Sequence, residues 1–182
     1  RVYRARGLLS KGHLVEVGRS SLVAGYVGQT AIAVKNAFND AEGGVLFVDE
    51  AYALAPAYSE DFGAEAIATM VMEMENRRDD LAVIVAGYEE PMRAFIASNE
   101  GLESRFQTSI DFPDYSADEL VEIWSRIAHR YGISAPPEVV AAVKTHVESV
   151  DAGGSLGNGR YARRLFEEMY RRQAVRAAAD NE

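Results

Sequence analysis

The sequence predicts an α/β domain built on a parallel sheet, followed by a smaller part made of helices alone. Two continuous apolar runs, 45–48 and 81–86, each follow a segment whose apolar residues recur at helical spacing. Strands that are apolar on both faces and alternate with helices are typical of a doubly wound parallel sheet. After Pro113 only helical spacing remains, so we expect the α/β part to cover residues 1–113 and the helical part residues 114–182.

The spacing of apolar residues also predicts the individual elements of the α/β part. Helical spacing predicts the end of one helix and two complete helices, at 1–9, 29–41 and 62–76. Short apolar runs predict four strands, at 13–17, 45–48, 81–86 and 108–112. We expect the runs 45–48 and 81–86 to be buried on both faces, and 108–112 to be a shorter strand.

Three helices are predicted in the second part. Ser116 and Glu119 form a capping box, in which each side chain bonds the backbone N–H of the other residue, and an apolar helical stripe follows. The Pro-Pro pair at 136–137 predicts the start of a second helix, because proline fits the first helical turn. Asn158 is expected to cap a last helix that ends near Ala179.

Composition excludes several classes of protein. The 182 residues include no cysteine, which excludes disulfide frameworks, thiolate zinc sites and cysteine nucleophiles. The formal net charge of −9 disfavours extended binding to nucleic acid. No apolar run approaches the roughly 20 residues that a bilayer span needs, and the first residues carry no signal-peptide pattern, so we expect a cytoplasmic protein.

An acidic pair, Asp49-Glu50, directly follows the apolar run 45–48. Ligands of parallel sheets bind in the crevice at the carboxyl ends of the strands, so these carboxylates are expected to face a ligand. Asp49 suits Mg²⁺ held through water, because Mg²⁺ prefers one or two carboxylates together with phosphates. Glu50 suits the general base that deprotonates water for attack on a γ-phosphate. The alternative is an acidic strand end in which Asp49 caps the next helix.

Further short motifs accompany the acidic pair along the chain. The pair itself lies in the segment 43–52, Gly-Gly-Val-Leu-Phe-Val-Asp-Glu-Ala-Tyr. The others are Tyr-Val-Gly-Gln-Thr-Ala at 26–31, Met-Glu-Asn at 74–76, Ala-Gly-Tyr at 86–88, Ser-Arg-Phe at 104–106, Phe-Pro-Asp-Tyr-Ser at 112–116 and Gly-Asn-Gly-Arg at 157–160. Together, in this order, they resemble the CbbX/CfxQ group of AAA+ ATPases, which includes red-type rubisco activases, the EccA ATPases of type VII secretion and the sporulation protein SpoVK.

The resemblance implies a P-loop NTPase core of the AAA+ type with a C-terminal all-helical lid. It implies a motor that hydrolyses ATP with Mg²⁺, works as a ring of identical subunits, a hexamer, and remodels a protein substrate or complex. Segment 43–52 resembles a Walker B segment, in which Asp49 serves the metal and Glu50 is the catalytic base.

The resemblance places Tyr26 and Val27 in the first pore loop of the family, whose aromatic residue grips a polypeptide in the central channel. Gly25 and Gly28 on either side would let such a loop move, and a tyrosine combines apolar grip with a polar edge. Without the resemblance, a tyrosine packed on the core at a turn is the simpler interpretation of Tyr26.

Three more positions match residues that contact phosphates in the family. Arg105 matches the arginine finger, which reaches ATP bound by the neighbouring subunit, and a surface ion pair with Glu103 is the alternative. Arg160 matches the sensor 2 residue, with Arg163 as second choice and an exposed arginine in a basic run as the alternative. Tyr88 stands where many AAA+ proteins carry a sensor 1 Asn or Thr, so contact with the nucleotide and packing in the core both stay open.

A Gly-rich phosphate loop of the form Gly-x-x-x-x-Gly-Lys-Ser/Thr does not occur in the sequence. In the family this loop follows a central strand and opens a helix, whose end we place at 1–9. We therefore expect the chain to be a fragment of a longer one, with the absent strand beside the run 45–48 and two unpaired strand edges. The alternative is a degenerate module that no longer binds ATP well.

Two other classes of protein share part of the pattern. A non-hydrolysing scaffold or regulatory subunit would also lack the loop. A nucleic-acid helicase would carry a box similar to Asp-Glu-Ala-Tyr at 49–52, but it needs Ser-Ala-Thr on the next strand, where this chain has Ala-Gly-Tyr at 86–88. The acidic charge also opposes nucleic acid as a partner. We therefore predict the protein-remodelling motor.

Residues 1–182 made alone are expected to bind ATP·Mg²⁺ with a dissociation constant no lower than about 1 mM, and to hydrolyse none. The reason is that the phosphates would lack the backbone N–H groups and the lysine of the Gly-rich loop. A calorimetric titration measures the affinity. Micromolar binding would contradict the fragment interpretation.

Overall fold

The computed structural model of this chain describes residues 2–26, 28–55, 61–151 and 157–179. The chain divides into two compact units, residues 1–111 and residues 112–182. The first unit holds a parallel sheet with helices packed on it, and the described residues of the second unit form helices without a strand.

The sheet of the first unit has three parallel strands in the order β1-β2-β3. They are β1 Leu14–Val17, β2 Val45–Val48 and β3 Ala82–Val85. In the register of the sheet, Val48 lies between Val17 and Val85, so all three strands end at the same level. β2 tolerates four successive apolar residues because it is paired on both edges and largely buried.

Six α-helices and one 3-10 helix accompany the sheet in the described part of the first unit. The α-helices are α1 Val2–Ala5, α2 Arg19–Leu22, α3 Gln29–Ala41, α4 Gly63–Asn76, α5 Glu89–Ala97 and α6 Glu100–Arg105. The 3-10 helix, Ala51–Leu54, directly follows the acidic pair. α3 and α4 confirm the helices predicted at 29–41 and 62–76. The helix predicted to run to residue 9 ends at Ala5, because Gly7 adopts a left-handed φ of 70°.

One apolar cluster holds the first unit together. Phe38 of α3, Leu46 of β2 and Met70 of α4 are fully buried in it. Burying a side chain of this size contributes about 1.5–3 kcal/mol. Ala51 and Leu54 of the 3-10 helix belong to the same cluster, so the segment just after the acidic pair is fixed on the core.

Two of the strand predictions need correction. Residues 108–112 form no strand, and Ile110 and Phe112 are 75% and 90% exposed. This segment pairs with none of the three strands, so its apolar side chains have no sheet to cover. The predicted strand 81–86 exists as β3, but it is half-buried and Ile84 is exposed. β3 is paired on one edge only in the described sheet, and full burial requires neighbours on both sides.

The expectation of a gap beside the run 45–48 is also wrong. β2 has β1 on one side and β3 on the other, and the Val45 amide donates to the His13 carbonyl at 2.8 Å. The unpaired edges of the described sheet belong to β1 and β3 instead. Each of these edge strands has one exposed large apolar side chain, Leu14 in β1 and Ile84 in β3.

The sequence patterns do not predict the short helices α2, α5 and α6. Helices of four to nine residues are too short for a recognisable apolar period, so tertiary packing decides them. For α6 a local sign exists, because the Asn99 side chain accepts hydrogen bonds from the Gly101 and Leu102 amides at 2.8 and 3.2 Å. An asparagine followed by an acidic residue is a typical helix start, and it would have predicted α6.

The second unit consists of three helices in its described part, α7 Ala117–Arg130, α8 Pro137–Asp151 and α9 Asn158–Ala179. Trp124 of α7, Val147 of α8 and Phe166 of α9 are buried in one cluster, which confirms three helices in a separate apolar core. Trp124 and Phe166 meet edge to face, with 6.2 Å between ring centroids. Among the described residues, no helix combines the length and the apolar character needed to cross a bilayer.

The two predicted caps of the second unit have different outcomes. The capping box of Ser116 and Glu119 is confirmed. The predicted cap by the Asn158 side chain is wrong: its Oδ1 accepts from the Tyr115 amide at 2.8 Å, and its Nδ2 donates to Asp114 at 2.6 Å. The Gly157 carbonyl accepts the first amide bond of α9, from Arg160 at 3.2 Å. Asn158 therefore ties the start of α9 to the segment before α7.

We expect Ser116→Ala to weaken α7 by about 1 kcal/mol, because the Ser116 hydroxyl accepts from the Glu119 amide and donates to the Glu119 carboxylate. The backbone N–H of Ser116 and then its hydroxyl hold the pKa of Glu119 below its usual range. The contribution of the Glu119 carboxylate to the stability of α7 is therefore complete above the unfolded-state pKa of glutamate. This contribution is lost as the pH falls through the lowered folded-state pKa. Hydrogen exchange of the α7 amides measures both effects.

Ser125→Ala is the matched control for this prediction, since Ser125 lies inside the same helix and alanine is a better helix former. Equal loss of protection in the two variants, or no loss in Ser116→Ala, would contradict the role of the cap.

Candidate functional site

The acidic pair lies at the carboxyl ends of the three strands. The Asp49 amide donates to the Val17 carbonyl at 2.9 Å, and the Ala51 amide donates to the Ala86 carbonyl at 3.0 Å. The pair is therefore bracketed by the end of β1 and the end of β3. Both acidic side chains are exposed, so they face the crevice in which parallel sheets bind ligands.

The Asp49 carboxylate is fixed by its own chain. Its Oδ1 accepts a hydrogen bond from the Glu50 amide at 3.0 Å, and within the described residues its second oxygen makes no bond. No group of three or more His, Asp or Glu side chains in the described part of the chain could hold a metal by itself. Asp49 fits Mg²⁺ as one carboxylate of a shell completed by phosphates and water, which is the arrangement that Mg²⁺ prefers.

Glu50 has an unusual backbone conformation. Its φ of 49° and ψ of 45° are left-handed, a region that non-glycine residues adopt at a cost. The neighbours on both sides hold this conformation, because β2 ends immediately before the pair and the 3-10 helix is buried immediately after it. The Glu50 carbonyl also accepts from the Ala53 amide at 2.8 Å. At Glu50 the backbone therefore leaves the extended conformation of β2.

Tyr52 connects the acidic pair to the end of β3. Its ring lies against the backbone of Gly87, where a Cβ atom would stand 2.7 Å from ring carbons. Partial burial, followed by the negative charge of Glu50, raises the pKa of Tyr52 above its usual value. The Tyr52 hydroxyl therefore keeps its proton at neutral pH. The segment 43–52 contains Tyr52, but the sequence alone predicts no role for it.

Tyr88 lies beside Tyr52, with 6.4 Å between the ring centroids. It follows β3 by three positions, precedes α5, and is 68% exposed. Packing in the core, the alternative for Tyr88, is wrong. The structure thus brings four side chains together at one edge of the sheet: Asp49, Glu50, Tyr52 and Tyr88.

Arg19 anchors the segment after the acidic pair. Its Nη1 donates to the Ala53 carbonyl at 2.5 Å, and its Nη2 donates to Asp61 at 2.6 Å. The Asp61 side chain is 1% exposed and also accepts from the Gly63 amide at 2.9 Å. Arg19 therefore clamps the 3-10 helix to the start of α4. No pattern in the sequence predicts this pair, because its members are 42 positions apart in the chain.

Arg105 ends α6 and contacts the end of α4. Its Nη2 donates to Glu75 at 3.0 Å, and its Nη1 lies 3.2 Å from the Gly101 carbonyl. The alternative of a pair with Glu103 is wrong. Glu75 belongs to the Met-Glu-Asn motif at 74–76, so two motifs of the sequence meet in this ion pair.

Tyr26 lies in the connection between α2 and α3 and is 73% exposed, which contradicts packing on the core. Gly28 after it has a left-handed φ of 78° and precedes α3 directly. Val27, predicted to share the pore loop with Tyr26, lies outside the described residues.

Arg160 belongs to the second unit, in the first turn of α9, and its side chain is exposed. The amide ends of a helix carry a partial positive charge, and an arginine beside them makes that charge larger. The residue is therefore placed where it can attract an anion, and it does not stabilise its own helix.

The comparison with known families assigns both units. The profile of the AAA family, ATPases associated with various cellular activities, matches residues 4–114, and the profile of the AAA lid domain matches residues 116–182. The chain belongs to the AAA family of ATPases. The predicted AAA core and helical lid are confirmed.

Curated relatives of this AAA chain carry the predicted group names. Stage V sporulation protein K of Bacillus subtilis is 41% identical over 172 residues, which are 93% of this chain and 53% of that protein. CbbX of Cereibacter sphaeroides is 42% identical over 171 residues, 93% of this chain and 55% of that protein. The chloroplastic ribulose bisphosphate carboxylase/oxygenase activase of Cyanidioschyzon merolae is 39% identical over 174 residues, 95% of this chain and 59% of that protein. The resemblance to the CbbX/CfxQ group is confirmed, and the chain spans a little over half the length of these relatives.

A solved structure supports the fold. The FIGL-1 AAA domain, crystallised in complex with ADP, matches with a TM-score of 0.57 at 16% identity, over 84% of this chain and 49% of that chain. At this identity the likeness shows the fold only, and it confirms the α/β architecture with a parallel sheet.

Proposed function

We propose that this AAA chain is part of an ATP-hydrolysing motor that remodels a protein. The observation that carries the proposal is the exposed acidic pair Asp49-Glu50, bracketed by the carboxyl ends of three parallel strands in a family of ATPases. A parallel sheet offers its ligand site at this edge, and phosphoryl transfer needs a metal-holding carboxylate and a base there.

Asp49 and Glu50 have different roles in this proposal. Asp49 would hold Mg²⁺ through water, and within the described residues its second carboxylate oxygen is free of hydrogen bonds for this role. Mg²⁺ supplies charge neutralisation at the phosphates. Glu50 orients the attacking water and accepts its proton. Tyr88 and, from the lid, Arg160 are proposed as further contacts to the nucleotide.

Arg105 is proposed to act on ATP bound by a neighbouring subunit. A guanidinium stays charged and forms two parallel bonds to phosphate oxygens, which stabilises the charge of the transition state. This role requires a ring of identical subunits, which we propose to be a hexamer, with the nucleotide between two of them. Arg105 is the last residue of the short helix α6 and keeps 27% of its side-chain surface exposed, which supports access from another subunit.

Tyr26 and Val27 are proposed to contact the protein substrate in the channel of the ring. The exposure of Tyr26 and the glycines around it support this role, because a gripping side chain must be accessible and mobile. One relative is named as a rubisco activase, and that name supports a protein as the substrate.

Glu50→Gln in the full-length protein is expected to bind ATP and to hydrolyse it at least about 10²-fold more slowly, because the amide cannot accept the proton of water. Steady-state hydrolysis and nucleotide binding are measured on the same preparation. Glu89→Gln is the matched control, since Glu89 is an exposed glutamate that follows β3 by a few residues. Turnover of Glu50→Gln near the wild-type rate would show that Glu50 is not the base.

Arg105→Ala is expected to leave nucleotide binding by isolated subunits nearly unchanged and to abolish turnover in the assembled ring. Its target phosphate belongs to the next subunit, and the ion pair that it loses is partly exposed, worth at most about 1 kcal/mol. Mixing Arg105→Ala with Glu50→Gln subunits should restore part of the activity, because some interfaces regain both groups. An unfolded Arg105→Ala monomer would instead identify a structural ion pair, and Arg93→Ala controls for loss of a surface arginine.

A further inference from the structure

Glu75 determines where the Arg105 side chain rests. The two residues belong to different helices, α4 and α6, and their charged atoms are 3.0 Å apart. The Arg105 side chain is 27% exposed, so most of its surface is covered in this position. Arg105, which is proposed to reach into a neighbouring subunit, is therefore held against its own subunit in this position.

In this position the guanidinium has no pair of N–H groups available for a phosphate. Both N–H groups of Nη1 face acceptors, the Gly101 carbonyl at 3.2 Å and the Ser104 hydroxyl at 3.3 Å. Nε is buried without a hydrogen-bond partner among the described residues. Of the five N–H groups, a single one on Nη2 remains, whereas the strong phosphate contact of arginine uses two parallel bonds.

The buried Nε–H also disfavours this position, since an unsatisfied buried donor costs free energy. A guanidinium that turned toward an anion could satisfy that donor. The observed position is therefore one that the side chain can leave when a better acceptor arrives.

Arg78 gives Glu75 a second cationic partner. Its Nη1 lies 2.5 Å from Glu75 Oε1, while Arg105 bonds Oε2 of the same carboxylate. When Arg105 departs, the Glu75 carboxylate keeps an ion pair with Arg78 and is half exposed to water. The release of Arg105 thus leaves no isolated charge.

We propose that Glu75 is a positioning residue for Arg105. It holds the guanidinium in a resting position, and the guanidinium exchanges the Glu75 carboxylate for the phosphate of nucleotide bound by the neighbouring subunit. This inference rests on the proposed trans-acting role of Arg105. The resting pair lowers the fraction of subunits whose Arg105 is ready to bind, and it therefore raises the ATP concentration needed for half-maximal turnover.

Glu75→Gln in the assembled full-length protein tests the exchange. We expect the ATP concentration at half-maximal hydrolysis to fall by up to about fivefold, which is the range of partly exposed ion pairs, while kcat and the melting temperature stay near wild type. Arg78→Gln is expected to shift the same concentration upward, because Glu75 then has Arg105 as its remaining cationic partner. A general loss of structure would not shift the ATP concentration at half-maximal hydrolysis in opposite directions in Glu75→Gln and Arg78→Gln. Opposite shifts therefore indicate a positioning role.

Glu103→Gln is the matched charge control. Glu103 is an exposed glutamate on α6, two residues before Arg105, so its neutralisation removes the same charge from the same surface. We expect no change in half-saturation for this variant. If Glu103→Gln lowers the ATP concentration at half-maximal hydrolysis as much as Glu75→Gln does, the change in surface charge explains the effect. That outcome would overturn the proposed exchange of partners by Arg105.

The remaining outcomes distinguish this inference from the proposed function. The inference about Glu75 fails alone under three conditions taken together. The wild type hydrolyses ATP, Arg105→Ala abolishes turnover in the ring, and Glu75→Gln leaves the ATP concentration at half-maximal hydrolysis unchanged or raises it. If Arg105→Ala hydrolyses ATP as the wild type does, the trans role of Arg105 and the inference about Glu75 fail together. If the wild type shows no hydrolysis, the proposed function also fails.

Discussion

The pairing of β2 on both edges is the constraint on which the candidate site depends. Because β1 and β3 lie parallel on its two sides, the three strands end at one level and the acidic pair leaves the sheet between two strand ends. Four successive apolar residues are stable in β2 because of that central position. Any shift of β2 along its neighbours would break both ladders, so the positions of Asp49 and Glu50 are fixed by the backbone of the sheet.

The chain around the acidic pair is held from several directions. Glu50 is left-handed, and the conformation is maintained because β2 precedes it and the buried 3-10 helix follows it. Arg19 clamps the 3-10 helix from the outside, and the Tyr52 ring lies against the backbone of Gly87. The backbone at Glu50 is therefore supported on both sides. Tyr26, in contrast, is exposed beside a glycine.

The motifs single out residues, but they do not predict what those residues contact. Arg105 was assigned from the Ser-Arg-Phe segment, yet its partner is Glu75, thirty positions earlier in the chain and on another helix. Glu103, the partner in the alternative interpretation, is closer in sequence, but the structure pairs Arg105 with Glu75. Segment 108–112 shows the same limit for secondary structure: its apolar residues favour a strand, but a strand requires a neighbour, and the sheet provides none for it.

The sequence by itself determined the alternation of strands and helices, the acidic pair at the end of a buried strand, the helical second unit and the family. These features depend on local periodicity and on contiguous motifs, and a single stretch of chain carries each of them. The tertiary structure alone decided that β2 is central, that β3 is half-buried, that Tyr52 lies against Gly87 and that Glu75 holds Arg105. Each of these depends on which distant or differently turned segments meet in space, and local spacing contains no information on that.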